Sequence, residues 1–288
     1  MSRRPNILFI LTDDQGAWAL GAAGNQEILT PHLDRLASVG AYFPNLFCAS
    51  PVCSPARASI LIGLAPSRHG IYDWIRAPIL RDGRMEIDER YLTDVVTEGA
   101  LEFLDRYGQG EQSLYLSVHY TAPHSPWDQD QHPEELQRLY DGCPFGTCPE
   151  EGLHPWQINS APRGVGARRR ELLTGYYASI TGVDRGVGLL LAWLDAHGLR
   201  EQTLVVFTGD NGMKMGHDGI WGKGNGTFPQ NMYDTSGKVP FLAAHPGRIP
   251  TGVVATGCPT ACIADTAYLG QGQRPERTDW GCAVELSV

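Results

Sequence analysis

Two short runs in this chain, Asn6–Thr12 and 203–208, are apolar at almost every successive position, and each ends in a polar pair. Asp13-Asp14 follow the first, and Asp210-Asn211 follow the second after one glycine. A strand that is apolar at consecutive positions is buried on both faces, as happens in a parallel sheet covered by helices. The segments between them have helical spacing. Leu33, Leu36 and Ala37 mark 31–39, with Thr30 as N-cap and Pro31 at the first position. Leu92, Val95, Val96, Leu101 and Leu104 mark 91–107, and a long stripe from Leu172 to Leu194 marks 171–197. A further strand is expected over 113–118. Strands alternating with helices predict an α/β fold with a mainly parallel central sheet flanked by helices. Ligand sites in such sheets lie beyond the carboxyl ends of the strands, where both polar pairs would be.

With 288 residues, 42% of them hydrophobic, the chain can bury one large core. Its net charge of -9 disfavours nucleic acid and membrane surfaces, which are polyanionic. No window approaches the roughly 20 apolar residues of a membrane span. The first apolar run is too short for a signal peptide and lacks a cleavage site, so the sequence as written reads as cytoplasmic, an exported form requiring a segment upstream. Seven cysteines, at 48, 53, 143, 148, 258, 262 and 282, show no zinc spacing. Cys143 and Cys148 are read as free thiols. Residues 128–166, rich in Pro, Gly and Cys, read as a long surface excursion. Trp127, Trp156 and Trp221 would line a pocket for a sugar or aryl group, or simply pack.

Three carboxylates and an amide oxygen, from Asp13, Asp14, Asp210 and Asn211, form the donor set that a hard cation such as Ca²⁺ or Mg²⁺ prefers. Asp and Asn also cap turns, and for either pair alone that reading is equally good. Two pairs at two strand ends favour a shared metal. Between them in sequence lies Cys53-Ser54-Pro55-Ala56-Arg57, ahead of an apolar helix over 56–62 that stops at Gly63. A cysteine before a helix is a candidate nucleophile, although a small buried turn residue fits as well.

Cys-x-Pro-x-Arg, followed by Ala58-Ser59 and Gly63, resembles the signature of the sulfatase family. The resemblance runs along most of residues 5–250. It implies an alkaline phosphatase-like fold and conversion of Cys53 to formylglycine by a formylglycine-generating or anaerobic sulfatase-maturating enzyme. It also implies a metal site of Asp13, Asp14, Cys53, Asp210 and Asn211, holding Ca²⁺ ahead of Mg²⁺. Ala122-Pro123-His124-Ser125-Pro126 resembles the loop whose histidine meets the sulfate or its leaving oxygen. Gly222-Lys223-Gly224 is similar to the segment whose lysine holds sulfate. Arg57, one turn after the nucleophile, would stabilise the aldehyde hydrate. His217 is either a further substrate-binding residue or a solvated loop histidine.

The chain departs from the family in two places. A second signature, Gly-Lys-x-x-His, would stand after the nucleophile helix, and no Gly-Lys pair here has histidine three residues on. The passage from His69-Gly70 to Asp82-Gly83 reads as an internal deletion. After Val254 the expected pattern stops, so residues 1–254 form the catalytic domain and 255–288 an irregular tail, with the small C-terminal antiparallel sheet domain missing. The expected activity is hydrolysis of a small sulfated substrate. The alternatives are a phosphodiesterase or phosphonate monoester hydrolase of the same superfamily, and an inactive pseudo-sulfatase. Oligomeric state is not legible.

Overall fold

The computed structural model describes residues 4–63, 66–69 and 90–255. The tail 256–288, with Cys258, Cys262 and Cys282, and the stretch at 70–83 where a deletion is expected lie outside the described residues. The chain forms strands β1 (Asn6–Thr12), β2 (Ala41–Tyr42), β3 (Tyr115–His119), β4 (Thr203–Gly209), β5 (Lys214–Met215), β6 (Trp221–Gly222), β7 (Phe241–Ala244) and β8 (Val253–Val254). Its helices are α1 (Pro31–Ser38), α2 (Cys53–Ile62), α3 (Pro66–His69), α4 (Leu92–Tyr107), α5 (Glu134–Arg138), α6 (Gly166–Ala196) and α7 (Asp234–Gly237).

Among the described residues six strands make one sheet in the order β3-β1-β4-β7-β2-β8, and β5 pairs with β6 apart from it. β1 runs parallel to β3 and β4, and β2 runs parallel to β8. β7 is antiparallel to both neighbours, so the sheet is mixed with mainly parallel pairings. The consecutive apolar residues of β1 and β4 divide between two cores, as the side-chain alternation of a strand requires. Leu8, Ile10, Val205 and Phe207 pack under α1, α4 and α6. Phe9, Leu11, Leu204 and Val206 enter the opposite core with Leu46, Val239 and Phe241.

Two expectations change in the structure. Thr30 stands before α1 without capping it: its hydroxyl donates to Asp34 Oδ1 (3.1 Å) and accepts the Gly21 N–H (2.9 Å). The cap comes from α6, where the Asp184 carboxylate accepts the backbone N–H groups of His32 (3.2 Å) and Leu33 (2.7 Å). The excursion over 128–166 is not confined to the surface. Leu136, Tyr140, Phe145 and Cys148 are buried with Leu172, Tyr176, Tyr177 and Ile180 of α6 in a further core. Trp127 and Trp221 belong to that core, the Trp127 indole N–H donating to the Pro123 carbonyl (2.7 Å); only Trp156 of the three is exposed. Cys143 and Cys148 are both free thiols.

Candidate active site

The parallel register of β1 and β4 pairs Leu11 with Thr208 and Thr12 with Gly209, so both polar pairs leave the sheet at one edge. Asp210 N–H donates to the Thr12 carbonyl (3.0 Å), and Asp14 N–H donates to Asp210 Oδ1 (3.1 Å). Asp14 has φ 64°, a left-handed conformation that costs a non-glycine residue about 1 kcal/mol. Tyr176 of α6 secures it: the phenol donates to the Asp14 carbonyl (2.9 Å) and accepts the Gly16 N–H (3.0 Å).

α2 begins at Cys53, three residues before the expected start, which places the sulfur at the helix entrance. The thiol donates to Asp13 Oδ1 (3.0 Å), and Asp14 Oδ1 lies 3.6 Å away. Lys223 Nζ donates to Cys53 Sγ (2.6 Å) and also pairs with Asp14 Oδ1. One turn along α2, Arg57 Nε donates to Asp210 Oδ2 (2.8 Å) and Nη2 to Asp13 Oδ2 (3.0 Å). Lys223 reaches the sulfur because its loop lies against the approach to α2. Gly224 N–H donates to the Pro51 carbonyl (3.0 Å), and a Cβ on Gly224 would stand 2.4 Å from Pro51 Cγ. Asn231 Nδ2 ties down the same loop by donating to the Lys223 carbonyl (3.0 Å).

His124 completes the cluster. Its Nδ1 lies 2.7 Å from the Ser125 carbonyl, so that nitrogen is the donor, and Nε2 lies 3.6 Å from Asp14 Oδ2. One ligand atom from each of Asp13, Asp14, Cys53 and His124 fits within 4.8 Å of the others. Asn211 donates to Asp14 Oδ1 (2.8 Å) and the Gly212 carbonyl (3.0 Å), while its buried Oδ1 has no hydrogen-bond partner among the described residues. An orphaned buried acceptor costs about 1–3 kcal/mol unless something offers it positive charge. Three carboxylates and that oxygen suit a hard divalent cation, so these residues fit the metal that the family generally uses.

The charges act strongly on one another. Burial, then the charges on Asp210 and Asp14, raise the Asp13 carboxyl to about 7. Burial would raise Asp14 too, but Lys223 and then His124 outweigh it and bring that carboxyl to about 2. Burial, then Asp14 and Asp210, push the Cys53 thiol far above its ordinary value. Burial works against the Lys223 ammonium, yet Asp14 and Cys53 beside it raise its pKa.

Asp13, Asp14, Cys53, Arg57, His124, Asp210, Asn211 and Lys223, all selected from the sequence, therefore converge. His217 does not join them. Its Nδ1 accepts the Met215 N–H (3.3 Å), its Nε2 contacts the Thr147 carbonyl (3.0 Å), and its ring lies 4.6 Å from Trp18. Burial lowers its pKa to about 4, so it is a neutral staple between loops. Two residues that the sequence reading passed over do reach the site. Tyr176 was hidden in the stripe of α6. His119 ends β3, one residue past the expected strand, with Nδ1 3.5 Å from Arg57 Nη1 and Nε2 2.7 Å from Ser117 Oγ.

The family model for sulfatases matches this chain in two overlapping segments, residues 5–87 and 71–258. The chain belongs to the sulfatase family. Among curated sulfatases it is 30% identical to arylsulfatase A of Bos taurus, over 98% of this chain and 67% of that protein. It is 29% identical to an ulvan-active sulfatase of Formosa agariphila, over 85% of this chain and 57% of that protein. Identity to the N-acetylgalactosamine-6-sulfatase of Canis lupus familiaris is 28%, over 87% of this chain and 59% of that one. This sulfatase chain thus spans 57% and 59% of the last two relatives. The alignment with the ulvan-active enzyme has 306 positions, more than the 288 residues here, so the relative carries residues that face gaps in this chain. A solved structure described with its substrate D-glucosamine-2-N,6-O-disulfate superposes with a TM-score of 0.74 at 20% identity, covering 89% of this chain and 74% of that one. The phosphonate monoester hydrolase of Agrobacterium radiobacter gives 0.60 at 18% identity, covering 93% and 74%. These structures establish the sulfatase fold as alkaline phosphatase-like. Among the described residues no helix is long and apolar enough to cross a membrane.

Proposed function

We propose that this chain hydrolyses sulfuric esters, releasing inorganic sulfate from a small sulfated organic or carbohydrate substrate. Residue 53 would act as formylglycine beside a divalent cation, Ca²⁺ ahead of Mg²⁺. The observation that carries this reading is the convergence of Lys223, Asp13 and Asp14 on the atom at position 53, with Arg57 clamped one turn behind. When present, the aldehyde supplies a hydrated oxygen nucleophile and the cation polarises the sulfate oxygens. Asp13, Asp14, Asp210, Asn211 and position 53 would hold that cation.

The chain's own residues support the reading. A thiol whose pKa is raised this far is not a thiolate at neutral pH, so unmodified Cys53 is a poor nucleophile. That favours a chemically converted side chain. The Lys223 ammonium, 2.6 Å from Sγ, is placed to offset the negative charge of a bound sulfate. His124, with its Nδ1–H engaged by the Ser125 carbonyl, presents Nε2 to the cluster; as the imidazolium it can hand the Nε2 proton to the leaving oxygen and return to the neutral Nδ1–H form. Relatives whose names refer to ulvan and N-acetylgalactosamine-6-sulfate support a carbohydrate ester.

The test is co-expression with a formylglycine-generating or anaerobic sulfatase-maturating enzyme. Mass spectrometry of the peptide containing Cys53 then precedes parallel assays on aryl sulfate, sulfated monosaccharides, aryl phosphonate and aryl phosphodiester. The expected result is formylglycine at position 53 and sulfate release. A purely thiol peptide, no sulfate release from the matured protein, or preference for a phosphorus ester overturns the reading.

A further inference from the structure

Among the described residues the guanidinium of Arg57 has three anchors of two kinds. Nε and Nη2 go to carboxylates of Asp210 and Asp13, and Nη1 faces the imidazole Nδ1 of His119 at 3.5 Å. The two carboxylates belong to the candidate cation site, so a bound cation competes with Arg57 for their negative charge. The imidazole is outside that competition. An Arg N–H can only donate, so Nδ1 must be the acceptor and Nε2 must carry the ring proton. Ser117 Oγ, 2.7 Å from Nε2, is placed to receive it. Both side chains lie on one face of β3, two positions apart, and the strand register sets His119 opposite Leu11 at the end of β1. Burial, then the Arg57 charge, lowers the His119 pKa, in keeping with a neutral ring.

We propose that His119 is a positioning residue: with Ser117 fixing its tautomer, it is the uncharged third anchor that keeps the Arg57 guanidinium beside position 53 when the two carboxylates are shared with a cation. The kinetic part of this inference rests on the sulfatase reading, and the tautomer part does not.

The first measurement uses the unmatured protein. Nitrogen-15 NMR of the imidazoles is expected to show His119 as the Nε2–H tautomer, and Arg57→Lys, which removes Nη1, is expected to release it to a tautomer mixture. The second uses matured protein and release of sulfate from p-nitrophenyl sulfate. His119→Ala should lower kcat about 10- to 100-fold, the range for residues that orient an active group from behind, with KM changing less than about 3-fold. His119→Asn, whose amide oxygen can accept near the Nδ1 position, should recover to within about 5-fold of the parent. In an Arg57→Lys background, His119→Ala should add less than about 3-fold, since the partner nitrogen is gone. If His119→Asn falls as far as His119→Ala, or if the loss is equally large in the Arg57→Lys background, His119 is not an anchor of Arg57. If no sulfate is released by the parent, the functional reading fails and the tautomer decides the positioning role alone. A His119 tautomer that ignores Arg57→Lys overturns that role whatever the activity.

Discussion

Asp210 and Asp184 are equally shut off from water, at 0% and 2% exposure, yet they sit in opposite kinds of environment. Asp184 accepts two backbone N–H groups at the start of α1, so its oxygens fasten one helix to another. Asp210 shares its edge of the sheet with Asp13 and Asp14, and Arg57 and Lys223 must hold three carboxylates together. A carboxylate met by fixed dipoles contributes to the fold. Carboxylates crowded against one another store repulsion that a bound cation can relieve. The contrast separates a structural acid from acids kept for a ligand.

The largest expected effect comes from removing the centre of the crowded cluster. Cys53→Ala should cut sulfate release by at least about 10⁴-fold, as loss of a nucleophile does, while leaving the melting temperature near the parent value. Asp184→Ala should do the reverse, leaving His32 and Leu33 N–H groups unmet and costing about 2–3 kcal/mol in urea unfolding. Equal stability losses in the two variants would break the comparison.

Calcium should next distinguish the two acid groups. Ca²⁺ at about 100 times its Kd should stabilise the parent by about 2.7 kcal/mol over chelator, and Asp13→Asn should abolish most of that gain. In Asp184→Asn the Ca²⁺ increment should persist unchanged.

The pH dependence has a definite sign. Burial raises the Asp184 carboxyl to about 6 against the two N–H groups that lower it. The folded state therefore holds a proton that the unfolded state gives up near pH 4, and stability falls as pH rises from about 4 to 6. Asp184→Asn should remove that slope with or without Ca²⁺. The slope from Asp13, raised to about 7, should run from about pH 4 to 7 in chelator and flatten when Ca²⁺ is added. Persistence of the Asp13 slope in saturating Ca²⁺ would count against its role as a ligand.

The smallest effect is expected at His217. His217→Ala should change kcat/KM by less than about 3-fold and cost about 1 kcal/mol of stability through lost contacts with Trp18 and the Thr147 carbonyl. A large rise in KM would restore it to the substrate site.

Much of the site was readable because its information is local. Asp13-Asp14 and Asp210-Asn211 end apolar strands, and Cys-x-Pro-x-Arg puts nucleophile and arginine one helical turn apart. His124 and Lys223 took their meaning from their order in the family pattern. His119 escaped because the apolar pattern of its strand ends at Val118, and nothing local shows that Arg57 waits 62 residues away. The excursion over 128–166 looked superficial because its buried residues follow no period; they fill a hollow against α6 that only the fold creates.

The sequence by itself determined the two-faced burial of β1 and β4, the helices that cover them and the family to which the chain belongs. Those properties follow from periodicity and short motifs, which act over a few residues. Only the tertiary structure decided that Asp184 caps α1, that His217 serves a loop rather than the cluster, and that Arg57 has an uncharged third anchor. Each depends on groups brought together from distant parts of the chain, such as His32 and Asp184, 152 positions apart. A side chain's hydrogen-bond partner is set by that geometry and leaves no periodic trace in the order of residues.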